Sequence, residues 1–188
     1  MNTPVAPANE TQLRKEQKTI YIGSGLALLL CIVMLGTAIL VLPRMIEFPG
    51  DDLESKLTFL AGANVVLVFW VIFGIRMVAS GRRRSADDIV GSAYADPSPK
   101  IAVASAFLQN TLEQFVVASV TLSALVLLGG ASTMPFVAAS VVLFGIGRVS
   151  FLRGYPKGAG GRAFGMAVTA LPSAAAFLIS IGLIALRL

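Results

Sequence analysis

The sequence predicts an all-α integral membrane protein with five spans, on three observations. First, of 188 residues 56% are hydrophobic and only 13% charged, with a mean hydropathy of +0.82. A soluble domain of this size needs more charge to cover its surface. Second, the apolar residues gather in five runs, 20–42, 57–79, 101–128, 133–152 and 163–186. Each is about 20 residues or longer, enough to cross a hydrocarbon core of about 30 Å as helix. Third, alternating strand patterns are absent, which argues against a transmembrane β-barrel.

The first run, 20–42, follows a basic flank, 11-TQLRKEQKTIYIG-23. It exceeds the core of about 7–15 residues that a cleaved signal peptide carries, so a retained helix is expected. Residues 1–19, opening on Pro, Asn and Thr and ending in Arg14, Lys15 and Lys18, read as a disordered basic tail. Cys31 is the only cysteine and lies inside this run, which excludes an intrachain disulfide and a cysteine-held zinc. No histidine occurs anywhere, so Ser-His-Asp chemistry and histidine-ligated metals are excluded as well. We expect no metal cofactor.

Between the runs, Lys and Arg alternate. The amino-terminal flank is basic, and the connection 81-GRRRSADDIVGSAYADPSPK-100 carries Arg82, Arg83, Arg84 and Lys100. The connection 153-RGYPKGAGGR-162 carries Arg153, Lys157 and Arg162, whereas 129-GGAST-133 has no charge. The positive-inside rule then puts the amino terminus and the second and fourth connections in the cytoplasm. The net charge of +5 is thus a topology signal, and no nucleic-acid partner is expected.

The third run is interrupted by Gln109, Asn110, Glu113 and Gln114. Gln109 and Glu113 are i, i+4 and Asn110 and Glu113 are i, i+3, so the three share one helix face. A carboxylate inside a span costs about 2.5–3.5 kcal/mol on insertion scales and needs a partner or a ligand. Arg148, inside 141-VVLFGIGRVSFL-152 with Gly145 and Gly147 beside it, is the expected partner. At the start of the last run, 158-GAGGR-162 is glycine-rich but lacks a P-loop ending, so it reads as a hairpin between helices. Arg162 then stands where a helix dipole favours an anion.

The run 107-FLQNTLEQF-115 with 147-GRVSFLRGYPKGAGGRAFG-165 resembles the MAPEG family, the membrane-associated proteins of eicosanoid and glutathione metabolism. The resemblance rests on Asn110-x-x-Glu113, on Arg148, Tyr155 and Arg162 at intervals of seven, and on Pro172 in the last run. The basic end of the second run, Arg76 through Arg84, also fits. It covers about residues 57–188 and leaves the helix at 20–42 as an addition to a four-helix membrane domain.

The resemblance implies a four-helix bundle assembled as a homotrimer, with glutathione bound between subunits near the cytoplasmic side. Arg162 would stabilise the thiolate, which attacks a lipophilic electrophile or reduces a hydroperoxide. Arg76, Asn110, Glu113 and Tyr155 would contact the tripeptide, with Gln109 and Arg148 beside them. The expected cofactor is glutathione as co-substrate; the expected partners are a hydrophobic small molecule, membrane lipid and two further copies of the chain. The expected location is a bacterial inner membrane. Two positions depart from the family pattern: Ala106 where a basic residue is common, and Phe151 where Tyr or His is common. They keep a non-catalytic lipid-binding or scaffolding role open. A transporter finds no support in inverted repeats or paired broken helices.

Overall fold

The computed structural model describes residues 10–94 and 96–187. It holds five long helices and, among the described residues, no strand: α1 (Glu10–Met45), α2 (Leu53–Arg82), α3 (Pro99–Gly129), α4 (Met134–Gly154) and α5 (Gly158–Ala185). Short 3-10 turns at Ala131–Thr133 and Tyr155–Lys157 precede α4 and α5. Helices α1, α2 and α3 and the stretch Ala131–Ala185 are long and apolar enough to cross a membrane. That last stretch contains both α4 and α5, folded back on each other at Gly158, whose φ of +86° is a left-handed conformation suited to glycine. The chain is an integral, multi-pass membrane bundle.

Helices α2 and α3 begin ahead of their apolar stretches because polar side chains cap them. Asp52 accepts the Ser55 amide at 2.9 Å and starts α2 four residues before the hydrophobic run. Ser98 caps α3 ahead of Pro99 in its first turn. Ser98 is itself fixed by Asp88, which accepts its amide at 2.8 Å and its hydroxyl at 2.6 Å. The Ser85 hydroxyl, then the Ser98 hydroxyl and amide, hold the Asp88 carboxyl below the usual carboxylate range.

Long-range bonds fix the order of the ends. At one end Glu16 of α1 accepts the Gly160 amide of α5 at 2.7 Å. At the other, Asp51 accepts the Ala131 amide at 2.8 Å while pairing with Lys56 at 3.1 Å, and Arg187 donates to the Leu128 carbonyl. The amino-terminal segment and the α4–α5 turn thus share one end of the bundle. The α1–α2 connection, the α3–α4 connection and the carboxyl end share the other.

The tail expected over residues 1–19 needs correcting where it can be compared. Residues 10–19 are helical, because Glu16 and Thr19 dock on the start of α5; residues 1–9 lie outside the described residues. Helix α1 lies on α5 and α4, burying Ala27, Cys31 and Ala38. The main core, with Leu67, Leu125, Val126, Phe144 and Ala176, is shared by α2, α3, α4 and α5.

Between α4 and α5 glycines let the backbones touch. A Cβ added at Gly154 would stand 2.0 Å from the Gly161 carbonyl oxygen. One at Gly147 would stand 2.8 Å from that of Gly165. In lipid, where apolar burial gives no net drive between helices, such close packing is what holds them together.

Candidate functional site

Arg148 lies in the C-terminal half of α4 with none of its surface exposed, and it is the largest fully buried side chain among the described residues. Its Nη1 donates to Asn110 Oδ1 on α3 at 2.8 Å. Its Nη2 and Nε donate to Thr169 Oγ1 on α5 at 2.8 and 3.2 Å. The Thr169 hydroxyl in turn donates a hydrogen bond to the Gly165 carbonyl at 2.9 Å. The rings of Phe144 and Phe151 lie 5.6 and 5.0 Å from the guanidinium carbon, so their π faces supply electron density that no carboxylate does.

Glu113 is not Arg148's partner. Its carboxylate accepts from Gln109 Nε2 at 2.8 Å, and both side chains are exposed on α3. Asn110, three residues before Glu113, reaches the guanidinium instead. The i, i+3 step turns Glu113 about 60° further round the helix, and the described chain places nothing over it.

Toward the end carrying the α4–α5 turn, Arg162 sits 4.7 Å above the Tyr155 ring. Among the described residues it makes no ion pair. Tyr155 meets Phe151 edge-on at 5.5 Å, so one aromatic pair joins the Arg162 and Arg148 environments. Arg162 opens onto a groove of about 310 Å³ between α5 and α1, lined by Ala159, Ala163, Met166, Ile20 and Ser24 among others. Arg76 stands exposed on α2 and, among the described residues, makes no hydrogen bond by its side chain and no ion pair. No His, Cys, Asp or Glu grouping fit for a metal occurs among the described residues.

The expected residues therefore fall into three pairs, Arg148 with Asn110, Gln109 with Glu113 and Arg162 with Tyr155, with Arg76 apart. Ala106 is half-buried, and Phe151 is 3% exposed and packed on Arg148. Two partners escaped sequence reasoning. Thr169 interrupts an apolar run seven residues after Arg162, a signal of the kind that exposed Asn110. Glu16 belongs to a polar segment that carried no signal of docking.

Chemically, the Arg162 end offers an unpaired cation beside a phenol and an apolar groove. That set suits a small anion whose reaction partner is lipophilic. The family model described as "MAPEG family" matches residues 57–182, which takes in α3, α4 and most of α2 and α5 and leaves α1 outside. Neither the curated proteins nor the solved structures contain a match to the chain.

Proposed function

The chain belongs to the MAPEG family, and from that membership we propose a glutathione-dependent transferase or peroxidase acting on lipophilic electrophiles in the membrane. The observation that carries the reading is Arg162: a guanidinium over Tyr155, free of any carboxylate among the described residues, at the mouth of an apolar groove.

A thiol near neutral pH is mostly protonated, and an adjacent guanidinium favours its anion. Glutathione would release its thiol proton to water and attack an electrophilic carbon, forming a carbon–sulfur bond as the leaving group departs. With a hydroperoxide, the thiolate would take the terminal oxygen and release an alcohol. A second glutathione would then convert the resulting sulfenic acid to disulfide and water. Tyr155 is placed to donate a hydrogen bond to the sulfur.

Exposed at mid-span on α3, Glu113 and Gln109 need something other than lipid against them, and Arg76 stands exposed toward the end of α2. A neighbouring subunit and the tripeptide's ammonium and carboxylates meet that need, which supports a homotrimer with glutathione at its seams. Arg148, fully buried, acts from behind by holding Asn110. The basic ends at Arg82–Arg84 and Arg153–Arg162 favour a cytoplasmic location for this end in a bacterial inner membrane.

The test follows the ultraviolet absorbance of bound thiolate as pH is varied. Arg162→Ala is expected to raise the thiol pKa and to cut turnover far more than binding. Tyr155→Phe is expected to do less, because it removes a hydrogen bond and no charge. A wild-type protein without thiolate signal at saturating glutathione would end the catalytic reading. Ala106 and Phe151, which put no polar group at two positions where the family pattern has one, favour a non-catalytic lipid-binding or scaffolding role in that event.

A further inference from the structure

Helix α5 begins badly on its own. Its first four residues are Gly158, Ala159, Gly160 and Gly161, and each glycine disfavours helix relative to alanine. Lys157 stands at the N-cap with no side-chain cap bond, and the first turn has no acidic residue. Two cations, Lys157 and Arg162, lie near the positive end of the dipole. Arg162 comes directly after this turn.

The missing cap arrives from 144 residues away. Glu16 Oε2 accepts the Gly160 amide at 2.7 Å. Its other oxygen would stand 3.1 Å from a Cβ added at Gly158. Thr19, one turn on, fills the space beside Gly160, where an added Cβ would come within 2.6 Å of the Thr19 Cβ. Gly23 then meets the backbone at Phe164. Glu16 is half-buried in an otherwise exposed stretch of α1. Among the described residues no other side chain accepts an amide in the first turn of α5.

We propose that Glu16 is a positioning residue: helix α1, which lies outside the family match, clamps the first turn of α5 and so holds Arg162 in register over Tyr155. The clamp follows from the contacts above; its effect on reactivity rests on the thiolate reading of Arg162. The carboxylate also neutralises part of the dipole that Arg162 opposes, so the guanidinium stays with Tyr155 instead of swinging away from the helix start.

The experiment compares full-length wild type, Glu16→Ala and Glu16→Gln in detergent by amide hydrogen exchange and by thiolate titration with glutathione. In Glu16→Ala the amides of Gly160, Gly161 and Arg162 should exchange about fivefold to tenfold faster, as for a lost cap, while those from Val168 to Ala176 stay unchanged. The pKa of bound thiol should rise and kcat fall with little change in KM. Glu16→Gln keeps an acceptor oxygen and should restore most of the exchange protection.

Unchanged exchange in Glu16→Ala overturns the clamp whatever glutathione does. Faster exchange with an unchanged titration overturns the positioning of Arg162. Absence of a thiolate signal in wild type overturns the thiolate reading and the positioning role with it, while exchange alone still decides the clamp. Should Glu16→Ala fail to fold, Thr19→Ala, which removes the γ-methyl beside Gly160 and keeps a good helix former in α1, is expected to give the same exchange pattern at smaller amplitude. No acceleration there would count against the clamp.

Discussion

Arg148 shows how a buried cation is kept without an anion. Three of its donors are satisfied by two neutral oxygens, and two rings flank its plane. Thr169→Val removes the oxygen that takes two of those bonds and keeps the shape, so it should cost about 2–4 kcal/mol of stability. Adding Arg148→Met should recover part of that loss. Thermal unfolding in detergent reads both; strictly additive losses would rule the coupling out. At this scale the sequence revealed that Arg148 and the Asn110–Glu113 face were special, because each breaks an apolar run. It misassigned the partner. Spacing fixes which residues share a face but not how that face is rotated toward a neighbouring helix, and opposite charge was given more weight than the neutral oxygens of Asn110 and Thr169.

The helices themselves were legible from hydropathy, and their ends were not. Asp52, Ser98 and, apart from Leu13, the first ten residues of α1 are polar, so the helical turns they belong to lie outside any apolar run. The connection between α2 and α3 depends on Asp88, whose carboxyl is held below its ordinary pKa by the Ser85 hydroxyl and then the Ser98 hydroxyl and amide. A depressed carboxylate contributes stability that is present above its unfolded pKa of about 4 and is lost as pH falls through the lower folded value. Proteolysis within residues 85–98 should therefore stay slow near neutrality and speed up in acid, and Asp88→Ala should be cut fast even at neutral pH. Equal rates for wild type and variant at pH 7 would refute this. Between α4 and α5, Gly147→Ala would drive a methyl to 2.1 Å from Thr169 Oγ1. It should cost about 1–3 kcal/mol and disturb Arg148 as well.

For the molecule as a whole, the alternation of basic and neutral connections predicted five passes, and the bonds at each end agree. Asp51 joins the first connection to the third, and Glu16 joins the amino-terminal segment to the fourth. With Cys31 replaced by Ser, a cysteine at Ser132 should react with an impermeant maleimide from outside the cell, and one at Lys157 should not. The opposite pattern would invert the orientation. What the sequence could not convey is how α1 sits on the bundle. Its apolar run carries no charged or amide side chain, only hydroxyls such as Ser24 and Thr37, and its register on α5 is set by Glu16, Thr19 and Gly23, ordinary residues until their counterparts at Gly160 and Phe164 are in place.

The bonds between Arg148 and Thr169 also bear on how the protein enters the bilayer during synthesis. Alone, α4 presents an arginine in its C-terminal half, an insertion penalty that reaches about 2.5–3.5 kcal/mol at a helix centre. Its acceptor on Thr169 is not made until the turn at Tyr155–Lys157 and the first half of α5 have followed. The two helices are therefore expected to enter as one hairpin. A glycosylation reporter placed after α4 alone should show poor insertion, one placed after α5 should show efficient insertion, and Arg148→Leu should make α4 sufficient by itself.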